Sequence, residues 1–478
     1  MLFNSIEFAI FLPIIFLIYW FVVNQNLKLQ NLFLLISSYV FYGWWDWRFL
    51  SLIAFSSLVD YCVGQRLSES NNNNHRKLLL IVSILVNLGF LGFFKYYNFF
   101  AQSFADAFTF FGQPIDPNRL NIILPVGISF YTFQTLSYSI DIYRRKLSHT
   151  KDIISFFAFV SFFPQLVAGP IERASNLLPQ FYAKRTFNYS AAVDGVRQIL
   201  WGLFKKIVIA DNCAFIANQI FDESSLYSGS TLLVGVICFA FQIYGDFSGY
   251  SDIAIGTSRL FGFNLMKNFD FPYFSRDIGE FWRRWHISLN TWFRDYLYIP
   301  LGGSRGSKIL VIRNVFIIFL VSGFWHGANW TFLIWGGLNA FYFLPLIILG
   351  KNRHNLDSVA AGRLVPSLVE VLNMTFTFGL TCFAWIFFRA KNLGHAVTII
   401  ENIFTPELFQ IPEVIPSKLL GLIPLFILIE WSGREDNFAI EKLFLNWKRP
   451  WRFAFYTMIA FFIIGLGGAE QKFIYFQF

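Results

Sequence analysis

Two histidines, His286 and His326, stand in tryptophan-rich stretches of the chain and are the residues best suited to chemistry. His326 lies inside a run from Asn314 to Gly350 that contains no Asp, Glu, Lys or Arg. Such a run can form one or two transmembrane helices, and an ionisable group at membrane depth needs a partner or a water-filled cavity. A neutral imidazole suits general-base catalysis at ordinary pH. For each histidine, a hydrogen bond between packed helices is the structural alternative.

Metal binding fits these two residues less well than acid–base chemistry. The sequence has no H-E-x-x-H pattern and no carboxylate at ligand spacing, and 40 positions separate the histidines. The four cysteines contain no C-x-x-C pair, so neither a zinc site nor a disulfide framework is indicated. We therefore predict no metal. Asn329, three positions after His326, is expected to share its helix face and to bind substrate there.

The largest polar interruption, residues 264–313, carries eight basic residues and is expected to face the cytoplasm. From Phe281 to Tyr296, aromatic and apolar residues recur at helical spacing. This spacing predicts one amphipathic helix lying in the membrane interface, with His286 at the edge of its apolar face.

A second polar cluster, residues 242–252, contains two aspartates, Asp246 and Asp252, inside an apolar stretch. Acidic residues at the centre of a membrane helix are costly unless they face a polar interior. They can line a substrate path or form a helix-packing network, and the network is slightly favoured.

Composition defines the scaffold that must position these residues. The chain is 55% hydrophobic and 14% charged, well below the charge content of soluble domains. Apolar runs recur from end to end, so we predict an all-α polytopic membrane protein with one domain, residues 1–478, of about 11–13 transmembrane or re-entrant helices. Prolines and glycines predict broken helices at residues 120–142 and 153–170. The net charge of +9 is scattered over short loops, which argues against a nucleic-acid partner.

Three long motifs carry a resemblance to a known family. They are QIYGDFSGYSDIAIG at 242–256, FWRRWHISLNTWFRDYLYIPLGG at 281–303 and FWHGANWTFLIWGGLN at 324–339, with further matches at 125–144, 163–171 and 473–478. The chain resembles the membrane-bound O-acyltransferase family, and within it the bacterial alginate O-acetyltransferases.

The resemblance implies a ring of helices around a thin centre, with funnels from both sides meeting near His326. His326 matches the family's catalytic histidine, and His286 matches the second histidine of the bacterial branch. The expected donor is cytoplasmic acetyl-coenzyme A, with no bound cofactor. The acetyl group would pass to a periplasmic SGNH-type acetyltransferase and then to a polysaccharide. The protein would be a multi-pass protein of the inner (plasma) membrane, surrounded by membrane lipid.

The resulting hypothesis gives each residue a role. His326 removes the proton of an acceptor hydroxyl as it attacks the thioester, and His286 orients the donor or assists proton transfer. Substrate-binding roles are expected for Asn329 and Asp246, and three arginines are expected to attract the anionic part of coenzyme A: Arg283, Arg284 and Arg294. A covalent acetyl-histidine stays open. Two alternatives are D-alanyl transfer from a carrier protein to teichoic acid, and a non-catalytic polysaccharide or lipid exporter.

Overall fold

A computed structural model describes residues 1–110, 115–117, 119–471 and 473–474, and every regular element in these residues is a helix. The all-α prediction is therefore confirmed. Within the described residues the α-helices are α1 Ile6–Phe21, α2 Leu27–Asp46, α3 Leu50–Glu69, α4 Asn73–Leu91, α5 Tyr97–Phe110, α6 Ile128–Tyr143, α7 Ile153–Ser161, α8 Phe163–Leu166, α9 Ala174–Leu177, α10 Tyr189–Leu203, α11 Asp211–Asp222, α12 Gly229–Leu260, α13 Ile278–Arg284, α14 Ile287–Phe293, α15 Lys308–His326, α16 Trp330–Ile348, α17 Leu368–Arg389, α18 Leu393–Ile403, α19 Ser417–Ser432 and α20 Arg449–Gly465.

Five helical segments in the described part of the chain are long and apolar enough to cross a membrane: Asn73–Phe110, Gly229–Leu260, Lys308–His326, Trp330–Ile348 and Leu368–Arg389. The protein is a multi-pass membrane protein. Most of the apolar stretch of Asn73–Phe110 is exposed, as expected for a lipid-facing segment, whereas most of α12 is buried. The count of 11–13 passes and the ring arrangement stay predictions.

The chain forms two compact units. The first contains Met1–Ala192 and Ser258–Leu265, and the second contains Val193–Thr257 and Met266–Phe478. In the first unit, α3, α4 and α6 pack around the buried carboxylate of Asp60. Ser83, Asn87 and Ser139 donate hydrogen bonds to that carboxylate. These bonds replace the hydrogen bonds to water that the carboxylate loses on burial.

The predicted helix breaks in the first unit are confirmed. Gly127 adopts the left-handed conformation (φ 74°), and α6 begins only after it, at Ile128. The α7 helix ends at Ser161, and the single-turn α8 follows with Pro164 in its first turn. The motif at 473–478 lies outside the described residues apart from Phe473 and Ile474.

The single amphipathic helix predicted around His286 is wrong. The structure has two short helices, α13 and α14, separated by Trp285 and by His286 in the left-handed conformation (φ 45°). Of the aromatic and apolar residues that suggested a surface helix, Tyr296 is half-buried and the others are buried inside the second unit: Phe281, Trp285, Leu289, Trp292 and Phe293. Their helical spacing reflects two helices that meet the protein interior rather than one helix on a membrane surface.

A close helical hairpin carries His326. The α15 and α16 helices pack tightly because Gly323 lies against the carbonyl of Phe332 and Gly336 lies against that of Phe319, where a Cβ atom would collide. The α15 helix ends at His326, and a short turn leads into α16. His326 therefore lies at the turn between the two helices.

Candidate active site

His326 lies at the C-terminal end of α15 in an aromatic pocket. Its side chain is buried, and its ring centroid lies 5.0 Å from that of Trp325, 5.2 Å from that of Trp335 and 5.3 Å from that of Phe388. Trp335 belongs to α16 and Phe388 to α17. Three consecutive long helices therefore build the pocket around one imidazole.

His286 lies at the junction between helices α13 and α14, and two backbone hydrogen bonds stabilise this junction. The Asp270 N–H donates to the carbonyl of Arg284 (2.9 Å), and the Ile287 N–H donates to the carbonyl of Asn268 (2.9 Å). A left-handed backbone is unfavourable for a residue with a Cβ atom and persists where surrounding contacts enforce it. The strained conformation turns the imidazole into the protein, where only 1% of the residue is exposed.

The structure brings the two predicted catalytic histidines together. Their ring centroids are 6.4 Å apart with an interplanar angle of 56°, although 40 positions separate them in sequence. Phe247 of α12 packs edge-on against His286 at 4.6 Å, and Trp325 lies 6.0 Å from it. Two imidazoles at this separation can reach one small reacting group from two directions.

Burial sets the protonation state of His286, which lies outside the five candidate membrane spans. It lowers the pKa of this imidazole from 6.5 to about 3, because the charged form loses its solvation. The ring is consequently neutral near pH 7 and able to accept a hydrogen bond. Among the described residues, no three His, Cys, Asp or Glu side chains gather closely enough to hold a metal ion.

Two of the three arginines predicted to attract coenzyme A are already bound within the protein. Arg283 donates to the backbone carbonyls of Asn352 (2.8 Å) and Asn355 (2.7 Å). Arg284 forms ion pairs with Asp270 (2.7 Å) and Glu280 (3.0 Å).

Arg294 differs from these two arginines in its exposure. It pairs with the neighbouring Asp295, and 58% of its side chain is exposed. Of the three guanidinium groups, that of Arg294 is the most accessible to an anionic ligand.

The prediction that Asn329 shares a helix face with His326 is wrong. The α15 helix ends at His326, and Asn329 instead caps α16 by accepting a hydrogen bond from the Thr331 N–H (3.1 Å). Its amide group donates to the carbonyl of Lys391 (3.0 Å). Both polar atoms of the side chain therefore form hydrogen bonds to the backbone. The substrate-binding role of Asn329 stays a prediction, which the shared helix face no longer supports.

Asp246 belongs to a buried ion-pair network on α12. One carboxylate oxygen lies 2.8 Å from Nζ of Lys206, and the other accepts the Ile474 N–H (2.7 Å). This is the helix-packing network that the sequence slightly favoured over a substrate path. The role of Asp246 as a substrate ligand stays a prediction.

Sequence reasoning missed Asn268, which binds His286 directly. Its Oδ1 atom lies 3.1 Å from Nδ1 of His286, and the residue is fully buried. It lies in the irregular segment between α12 and α13, 18 positions before the histidine, where no periodic pattern marks it. The only sequence signal for Asn268 is that it lies shortly before the 281–303 motif.

Comparisons with known proteins show the family of the chain. The family model described as MBOAT, membrane-bound O-acyltransferase family, matches residues 10–383. Probable alginate O-acetylase AlgI of Pseudomonas aeruginosa is 40% identical over a match covering 88% of this chain and 78% of the relative.

Two further relatives have lower sequence identity to this chain. Peptidoglycan O-acetyltransferase of Helicobacter pylori is 33% identical over 100% of this chain and 98% of the relative. Teichoic acid D-alanyltransferase of Bacillus subtilis is 27% identical over 59% of this chain and 73% of the relative. The chain therefore belongs to the membrane-bound O-acyltransferase family and is an acyltransferase.

Proposed function

We propose that the protein transfers acetyl groups from cytoplasmic acetyl-coenzyme A for the O-acetylation of an extracytoplasmic polysaccharide such as alginate. The observation that carries this proposal is the pair of buried imidazoles, whose centroids are 6.4 Å apart in an aromatic pocket. The relatives named for alginate and peptidoglycan O-acetylation support the acetyl group and the polysaccharide class, because their matches cover most of the chain.

The chemistry requires a base and a positioned thioester. An acceptor hydroxyl gives its proton to the imidazole of His326 while its oxygen attacks the thioester carbonyl carbon. The carbon–sulfur bond then breaks, and the departing thiolate takes the proton from the imidazolium. His286, which is neutral and lies beside His326, orients the donor or accepts a hydrogen bond during this transfer.

The donor's anionic part is best matched by Arg294. Arg283 donates to backbone carbonyls and Arg284 pairs with the carboxylates of Asp270 and Glu280, whereas Arg294 is largely exposed. An exposed guanidinium can bind phosphate groups with paired hydrogen bonds. We place the adenosine phosphates near this residue on the cytoplasmic side.

The route after transfer follows from where the polymer lies. A polysaccharide outside the cytoplasm requires the acetyl group to leave the membrane on the opposite side from its donor. We assign that onward step to a periplasmic SGNH-type acetyltransferase, and we place this protein in the inner (plasma) membrane.

D-alanyl transfer from a carrier protein to teichoic acid is the second candidate function. It is supported by the similarity to the Bacillus subtilis teichoic acid D-alanyltransferase, which covers a smaller part of the chain at lower identity. Membership of an acyltransferase family argues against a non-catalytic exporter.

The test is transfer of the acetyl label from radiolabelled acetyl-coenzyme A to an acceptor hydroxyl or to water by the purified protein in lipid. We expect His326→Ala to lower the rate at least ~100-fold, as loss of a general base does, and His286→Ala to lower it less. His75→Ala is the matched control, because His75 is an exposed histidine at the start of α4. Equal rates in all four proteins would refute a catalytic role for the histidines. Transfer from a D-alanyl carrier protein alone would favour the second candidate.

A further inference from the structure

Asn268 holds His286 through both its backbone and its side chain. Its carbonyl accepts the N–H of Ile287, and its side-chain Oδ1 meets Nδ1 of His286 at 3.1 Å. The residue is fully buried, so solvent does not compete for these bonds. One residue thus fixes both the strained backbone beside the histidine and one edge of its ring.

The orientation of the Asn268 amide is determined by its other partners. Oδ1 also receives the backbone N–H of Ser288 (3.3 Å) and the Ser288 hydroxyl (2.8 Å). A backbone N–H can only donate, so the atom facing it must be the oxygen. The amide nitrogen faces the opposite way and donates to Oγ of Ser251 on α12 (3.0 Å).

This orientation determines the tautomer of the imidazole. Because Oδ1 is an acceptor, Nδ1 of His286 must carry the hydrogen, and in a neutral ring Nε2 then carries the lone pair. The alternative tautomer would place two lone pairs against each other inside a buried site, which costs roughly the full desolvation penalty of an unmade hydrogen bond.

The charged groups on the elements packed around His286 have their own ion-pair partners. On α12, Asp246 pairs with Lys206 and Asp252 pairs with Lys205.

On the segments flanking the histidine, Asp270 pairs with Arg284. His326 on α15 is the titratable group whose ring faces His286. A neutral amide, rather than a carboxylate, therefore orients this imidazole and leaves its basicity low.

We propose that Asn268 is a positioning residue that locks His286 in the Nδ1–H tautomer and presents the lone pair of Nε2 to the acyl-transfer reaction. The catalytic consequence rests on the proposed function, whereas the tautomer itself does not. A carboxylate at position 268 would keep the tautomer but favour the charged ring, and an apolar residue would lose the tautomer.

Three variants test the proposal. Asn268→Leu removes the acceptor, and Asn268→Asp keeps an acceptor while adding a negative charge. Asn314→Leu is the matched control, since Asn314 is also buried. Its amide donates to the carbonyls of Leu301 and Gly303, which precede α15, whereas His326 is the last residue of that helix. Folding of each variant is checked by size-exclusion chromatography before comparison.

Two measurements are made on each protein. The first is the nitrogen NMR spectrum of protein labelled with ¹⁵N-histidine, in which the His286 signal is assigned by its loss in His286→Gln. The second is the pH dependence of kcat/KM for acetyl transfer. The spectrum needs no substrate, so failure of the proposed reaction and failure of the tautomer proposal are distinguishable.

We expect the Nδ1–H tautomer in the wild type and in Asn314→Leu, and a mixed or Nε2–H signal in Asn268→Leu. Asn268→Leu should lower kcat/KM about 100-fold, within the range seen when the residue orienting a functional histidine is removed. Asn268→Asp should keep the Nδ1–H signal and move the acidic limb of the rate profile to higher pH. An Nε2–H signal in the wild type, or an unchanged tautomer in Asn268→Leu, would overturn the proposal.

Discussion

Two buried polar groups lie along α12 in the second unit, and they differ in how they hold charge. The first, which we call the lysine ladder, joins consecutive lysines of the π-helical turn Phe204–Ala210 to aspartates. Lys205 pairs with Asp252 at 2.6 Å, and Lys206 pairs with Asp246 and Asp211, each at 2.8 Å. The second is the histidine pair, His286 and His326, which is bounded by aromatic rings and a neutral amide.

The difference separates a structural network from a reactive one. In the lysine ladder two lysines face three aspartates, so removing a lysine would leave buried carboxylates without their cation. In the histidine pair the buried ring of His286 is neutral, and its partner at Nδ1 is the amide of Asn268 rather than a charged group. Burial of titratable residues is shared by both groups, but ion pairs hold the first group and a neutral amide holds the second.

Removing one lysine of the lysine ladder should give the largest effect on stability. Lys206→Met leaves Asp246 and Asp211 buried without their cation, which should lower the free energy of unfolding by about 3–5 kcal/mol. Denaturation by sodium dodecyl sulfate in mixed micelles measures this change.

Lys442→Met is the matched control, because that lysine pairs with Asp436 while 70% of its side chain is exposed. A loss below ~1 kcal/mol is expected there. If Lys206→Met instead kept its stability and lost acetyl transfer, the lysine ladder would belong to the reaction and the comparison would fail.

The close helix packing that supports the lysine ladder should be the next most sensitive feature. A Cβ atom on Gly249 of α12 would lie 2.7 Å from the carbonyl oxygen of Gly202. Gly249→Ala should therefore cost about 1–3 kcal/mol from overpacking, partly offset by up to ~1 kcal/mol of better helix propensity.

Gly379→Ala in α17 isolates the propensity gain, because no atom lies within 4 Å of the added methyl group. Its unfolding free energy should stay equal or rise. A similar response of both glycine variants in the same denaturation assay would show that α12 does not need this close approach.

Sequence could predict the parts of this molecule that follow from composition and local pattern. The all-α membrane fold, the helix breaks near Gly127 and Pro164, and the acyltransferase family all agree with the sequence reading. The catalytic roles of His286 and His326 came from the resemblance, whereas their proximity was not predicted, since 40 positions separate them.

The errors share a physical cause. His286 breaks a helix because tertiary hydrogen bonds from Asn268 and Asp270 enforce its backbone, and helical periodicity cannot reveal bonds from a distant segment. Asn329 was placed on a helix that ends three residues earlier. The lysine partners of Asp246 and Asp252 lie 40 and 47 positions away on another helix, and only folding brings them together.

The smallest expected effect concerns the dependence of stability on pH. The pKa of His286 is about 3 in the folded protein and near 6.5 when exposed, so the unfolded chain binds more protons below pH 7. Stability therefore falls as the pH falls through this window, by about 0.7 kcal/mol between pH 7 and pH 6 from this one group. The micelle denaturation assay should show that slope as the difference between wild type and His286→Gln, because the remaining histidines titrate in both proteins. Parallel curves would mean that the folded site holds a charged imidazole, and the contrast with the lysine ladder would then lose its basis.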